Sequence, residues 1–125
     1  MKTSLHALHH QDSDWLRELE FYKTEISILV PRLEDVIKNN TGQEITAQVE
    51  HFQNKFILLR EQIDTLHHDV HVREKGVTEI TETRPEHIDE KFSAIRDSIL
   101  KRMKDLAADF ADTRFELNQF LAKVL

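Results

Sequence analysis

The 125-residue chain has no cysteine. Disulfides, thiolate metal centres and cysteine nucleophiles are therefore excluded. Glycine and proline occur only twice each, and Gly42 and Gly76 stand far apart, so there is no glycine-rich phosphate loop. No apolar run approaches the ~18 residues of a membrane span, and the opening residues Met1 to His6 lack the apolar core of a secretory signal. Basic charge is also in deficit. The net charge is -6 with histidines neutral, and no basic surface is available to displace counterions from a phosphate backbone. These absences lead us to expect a cytoplasmic protein with neither a membrane nor a nucleic acid as partner.

What the chain does have is charge and apolar periodicity. Charged residues make up 32% and hydrophobic residues 39%. Abundant Glu, Lys, Leu and Ile with few helix breakers favours long helices over sheets. In the first segment, Leu5, Leu8, Trp15, Leu19, Tyr22, Ile26, Leu29, Leu33 and Val36 recur at alternating steps of three and four. Only Asp12 interrupts this heptad seam. Leu16, Val30 and Ile37 widen the stripe on one flank, which suits a bundle. Pro31 inside the pattern should kink the helix rather than end it.

Asn39, Asn40, Thr41 and Gly42 read as a stop, and Thr41 with Glu44 has capping-box spacing. So short a connection predicts an antiparallel hairpin. The second seam is Ile45, Val49, Phe52, Phe56, Leu59, Ile63, Leu66 and Val70, with Arg73 at its last position. Gly76 and the threonine-rich, aperiodic stretch after it predict a loop over 76–83. Thr83 and Glu86 repeat the capping-box spacing around Pro85. The third seam then runs through Ile88, Phe92, Ile95, Ile99, Met103, Leu106, Phe110, Leu117, Phe120 and Val124, with a stutter between Ile99 and Met103. The expected fold is all-α: one domain, 1–125, forming an elongated antiparallel up-down-up three-helix bundle with coiled-coil-like heptad seams. Its helices are expected at about 4–39, 42–75 and 84–124.

The layout is similar to a spectrin-type three-helix repeat, including a Trp early in the first helix. That is a likeness of architecture and carries no function. Leu8-His9-His10, Trp15-Leu16, Phe21-Tyr22-Lys23 and the run from Gln48 to Asn54 resemble segments of short, uncharacterised bacterial all-helical proteins. No activity is implied by that resemblance.

Seven of the eight histidines should meet at one end of such a bundle. His6, His9 and His10 open the first helix, His67, His68 and His71 close the second, and His87 opens the third, leaving His51 at the far end. His6 with His10, and His67 with His71, are four residues apart, a spacing that lets two imidazoles share one ion. On this reading His6, His9, His10, His67 and His71 would bind zinc, nickel or iron, with Asp12, Glu86 and Glu90 as possible carboxylate ligands. The plainer reading is solvated histidines, because heptad phasing puts only His9 and His67 beside the core.

The hairpin register sets Asp12 opposite about residue 70, so its expected partner is Arg73, in an ion pair that fixes register. The alternative makes Asp12 a ligand or base beside His9 and His67. We find no nucleophile elbow, and a bundle this lean leaves little room for a substrate pocket, so no enzymatic activity is expected. Phe21, Ile28, Leu58 and Phe115 fall off the seams and suggest a surface for self-association or a protein partner. The expected function is therefore non-enzymatic and works through protein contacts. The competing reading is a divalent-metal-binding or pH-responsive module at the histidine end.

Overall fold

Each seam becomes one long helix. The computed structural model describes residues 5–40, 42–83 and 88–125, with side chains for 10–40, 42–76 and 93–125. Helix α1 spans Leu5–Asn39, α2 Gln43–Thr83 and α3 Ile88–Val124, and the described residues contain no strand. At about 1.5 Å per residue, helices of 35, 41 and 37 residues are roughly 50–60 Å long. The result is an elongated all-α three-helix bundle.

The end of α1 has a local cause. The Asn40 N–H turns back to the Ile37 carbonyl, at 3.4 Å, and so gives up the Val36 carbonyl one turn below. The Asn40 side-chain amide takes that carbonyl, at 3.1 Å, and Asn39 does the same for Asp35. Side-chain amides thus satisfy acceptors that the helix end would strand. Two residues later α2 begins. The Gly42 carbonyl accepts from both the backbone N–H and the hydroxyl of Thr46, each at 3.0 Å. That first helical bond makes Gly42 the N-cap. Thr41, the expected cap, lies outside the described residues, as do 84–87 with the second expected cap.

Ion pairs and ring contacts establish the antiparallel course. Along α1 and α2, Asp12 pairs with Arg73, Glu20 with His67 and Lys23 with Asp64, so one number rises as the other falls. Along α2 and α3, Asp69 pairs with Arg102 and Phe52 packs on Phe120. The expected register was short by about one helical turn, since Asp12 meets Arg73 rather than residue 70.

The core is the seams. Trp15, Leu19, Tyr22, Ile26, Leu29, Leu33 and Val36 of α1 are buried, as are Val49 through Val70 on the α2 seam and Ile99, Met103, Leu106, Phe110, Leu117 and Phe120 of α3. Burial of each large apolar side chain contributes about 1.5–3 kcal/mol before entropy is set against it. Both sides of the stutter, Ile99 and Met103, stay in the core. Thr113 fills the seam position between Phe110 and Leu117, and Leu121 is buried where Val124 is only half-buried. Ile37 and Ile95, expected inside, are exposed. Leu5, Leu8, Ile88 and Phe92 have no described side chains.

One element differs from expectation. Residues 76–83, expected as a loop, continue α2 to Thr83. Lost periodicity removes evidence of a partner face, but a helix needs only its own backbone bonds. Nothing before Pro85 removes a donor, and Gly76 costs only about 1 kcal/mol relative to Ala in a helix interior. No glycine among the described residues adopts positive φ. Gly76→Ala should therefore stabilise the protein by about 0.5–1 kcal/mol, and Gly76→Pro should destabilise it by about 3 kcal/mol. Denaturant titration of the two variants checks this; an Ala variant less stable than wild type would contradict a continuous α2.

Candidate functional site

Two charged residues occupy core positions at the end of the bundle that holds the start of α1 and the far part of α2. Asp12 stands where the α1 seam calls for an apolar residue, and Arg73 does the same on α2. Both are 1% exposed. Arg73 Nη1 donates to Asp12 Oδ1, and Nη2 donates to Gln11 Oε1 at 3.4 Å. The guanidinium also lies over the Trp15 ring, 5.1 Å from its centroid, a cation–π contact. Arg73 Nε has no hydrogen-bond partner among the described residues. Burial pushes the guanidinium below its ordinary pKa and Arg96 of α3 adds to this, while Asp12 pulls it back up. An arginine stays protonated at neutral pH in any case, so the pair is a buried salt bridge.

Among the described residues the histidines do not gather around it as a metal centre. His67 and His71 do come together, ring centroids 4.7 Å apart. His67 Nε2 lies 3.7 Å from Glu20 Oε1, an ion pair only when the imidazole is protonated. Asp64, which shares their ridge, pairs with Lys23 at 3.9 Å. His10, His68 and His71 are exposed, and His51 packs edge-on against Phe52 in the other half of α2. The side chains of His6, His9, His87, Glu86 and Glu90 lie outside the described residues. Among the described residues no group of three or more His, Asp or Glu side chains is placed to hold a metal ion.

The four off-seam apolar residues are exposed, but they do not share one face. Phe21 is 51% and Phe115 63% exposed, with Ile28 and Leu58 similar. Phe21 belongs to an open cleft of about 530 Å³ on α1, with Asp14, Trp15, Arg17 and Glu18. Leu58 lines a different cleft, about 520 Å³, between Glu61, Gln62 and Thr65 of α2 and Arg102, Asp105 and Asp109 of α3. Phe115, on α3, lines neither cleft.

Two polar contacts escaped the sequence reading. Arg102 donates to Asp69 at 2.7 Å and ties α3 to α2. Antiparallel alignment of the second and third seams brings these residues to one level. Tyr22, half polar at a core position, donates its phenol to Glu18 Oε1 at 3.0 Å and tilts against Phe110 at 4.8 Å. Comparisons with protein-family models, curated proteins and solved structures find no match to this chain.

Two predictions follow from these buried polar groups. Arg73→Met or Asp12→Leu alone leaves a buried charge unpaired and should cost about 3–5 kcal/mol, whereas the double variant should return to within about 1–2 kcal/mol of wild type. A double-mutant cycle in urea measures this; additive losses would show that the pair is not coupled. For Tyr22, burial first, then the hydrogen bond and charge of Glu18, raise the phenol from 10.0 to about 12. A raised folded value means the contribution is present below pH 10 and is lost as pH rises from 10 to about 12. It amounts to at most about 2–3 kcal/mol. Tyr22 is the only tyrosine, so phenolate absorbance reports it alone. Titration of the native protein should show a midpoint well above that of the urea-unfolded chain, and Tyr22→Phe should abolish this part of the alkaline destabilisation.

Proposed function

We propose that this chain is a non-enzymatic helical-bundle protein of the cytoplasm that acts through protein contacts, including contacts with its own kind. The observation that carries the reading is the exposure of Phe21, Ile28, Leu58 and Phe115 on helices whose seams are already closed. Single exposed apolar residues are ordinary. Several on one small bundle, with Phe21 and Leu58 each lining a cleft, support contact surfaces on more than one side. The absence of cysteine fits a reducing compartment. No helix among the described residues is long and apolar enough to cross a membrane.

A non-catalytic role is favoured by what surrounds the clefts. Both are open grooves, and the Arg102 guanidinium in the larger group of polar residues is already held by Asp69. Arg73, the most unusual cation, is buried against Asp12 and Trp15, where it cannot meet a substrate. The metal-binding or pH-responsive reading has less support, since only His67 and His71 adjoin each other among the described histidines.

Light scattering on a sizing column tests the self-association. The expected mass exceeds the 14.8 kDa of one chain and rises with concentration. A mass of one chain at every concentration would overturn it.

A further inference from the structure

Each helix in the bundle has two flanks, and the ion pairs say which neighbour each flank meets. Lys23 and Glu20 of α1 reach Asp64 and His67 of α2, so that flank of α1 faces α2. The opposite flank, which carries Glu18, Phe21, Glu25 and Ile28, must border α3. On α3, Arg102 reaches Asp69, and Asp105 and Asp109 line the cleft with α2. The other flank of α3, which carries Lys104, Ala107, Ala111 and Arg114, must therefore border α1. Of the three pairs of helices, α1 and α3 approach each other least. Tyr22 and Phe110 span the gap from below.

This leaves a shallow face with unlike walls. The α1 wall presents Phe21 and Ile28, exposed, beside Glu18 and Glu25. The α3 wall presents the small residues Ala107 and Ala111 beside Lys104 and Arg114, with Phe115 at its outer rim. Among the described residues none of Glu18, Glu25, Lys104 and Arg114 is held in an ion pair; Glu18 accepts only the Tyr22 hydroxyl. Asp14 and Arg17, of opposite sign, share the cleft with Phe21 and leave the α1 wall net acidic. The heights match. Tyr22 lies against Phe110, so Glu18 is level with about Lys104, Glu25 with about Arg114, and Ile28 with about Phe115.

We infer that a second copy of this chain covers the α1–α3 face, related by a two-fold axis parallel to the helices. The inference rests on the self-association proposed above. Such an axis sets α1 of one copy on α3 of the other. Phe21 then enters the space over Ala107 and Ala111 of the second copy, and Ile28 meets Phe115 of the second copy. Glu18 and Glu25 oppose Lys104 and Arg114, and each pairing occurs twice. A two-fold axis perpendicular to the helices would instead lay α1 on α1 and α3 on α3. That arrangement separates the acidic wall from the basic one and leaves Phe21 without the alanines opposite it. Charge complementarity thus selects both the occupant and its direction. Leu58, on the α2–α3 side, has no part in this interface.

The test is a charge swap on the full chain, read by sedimentation equilibrium. Arg114 is exposed and Glu25 half-buried, and unchanged helical circular dichroism checks that the fold tolerates their exchange. Glu25→Arg and Arg114→Glu should each weaken the dimer by about tenfold or more, because each places like charges opposite one another twice. The double variant, or a mixture of the two single variants, should recover most of the loss. Phe21→Glu should abolish the dimer, and Leu58→Glu should leave it intact. A wild-type chain that stays monomeric overturns the self-association and this interface with it. A wild-type dimer indifferent to Phe21→Glu and to the charge swap overturns the interface alone. Weakening by either single variant without rescue in the double overturns the parallel arrangement.

Discussion

Arg73 and Asp12 hold positions that almost every other turn of α1 and α2 gives to an apolar side chain. A guanidinium removed from water is tolerable only where a carboxylate and a flat apolar surface replace its hydration, and Asp12, Gln11 and Trp15 supply these. An apolar seam alone is permissive about register, since one heptad resembles the next. A buried charge pair is not, because a slip of one turn leaves both ions unpaired. With this end fixed, Glu20 falls beside His67 and Lys23 beside Asp64, and Tyr22 is presented to Phe110 of α3. The pair contributes little net stability compared with an apolar replacement of equal volume. What it adds is the cost of every wrong alignment.

Much of this was legible in the sequence, and the parts that were not share a cause. Steps of three and four report burial against a partner helix, so the core came through nearly intact, and the two charges in the seams could be assigned to each other. Periodicity says nothing where no partner lies alongside. Residues 76–83 lost their pattern and were expected as a loop, although the backbone continues as helix to Thr83. Ile37 and Ile95 carry the pattern yet are exposed. Thr113 is the reverse: its spacing is right, and its hydroxyl concealed it among polar residues.

The histidines were a weaker signal for a geometric reason. Placement at one end of a bundle concerns height along the axis, while coordination requires side chains to point at one another around it. His10 and His68 share the outward heptad position, and among the described residues the i,i+4 pair of His67 and His71 meets ring to ring. Height and phase are thus separate conditions, and a shared end of the bundle meets only the first. Asp12 and Arg73 agree in both height and phase, which is why that pair forms.

The same distinction separates the off-seam apolar residues. Leu58 lies close in height to Ile28 and Phe115, yet it lines the α2–α3 cleft, whereas Phe21 and Ile28 look across the α1–α3 gap. That gap is the least tightly closed side of the bundle because α1 and α3 are each tied by charged pairs to α2, and between themselves are joined through aromatic bulk at Tyr22 and Phe110. With large rings between them the backbones of α1 and α3 approach less often than either approaches α2, and the ridges outside those rings stay unmatched. Small residues on the α3 ridge and large ones on the α1 ridge are poor partners within one chain at that distance. Turned about an axis along the bundle, they become complementary, so the looseness of the α1–α3 side and the exposure of Phe21 and Ile28 have one origin.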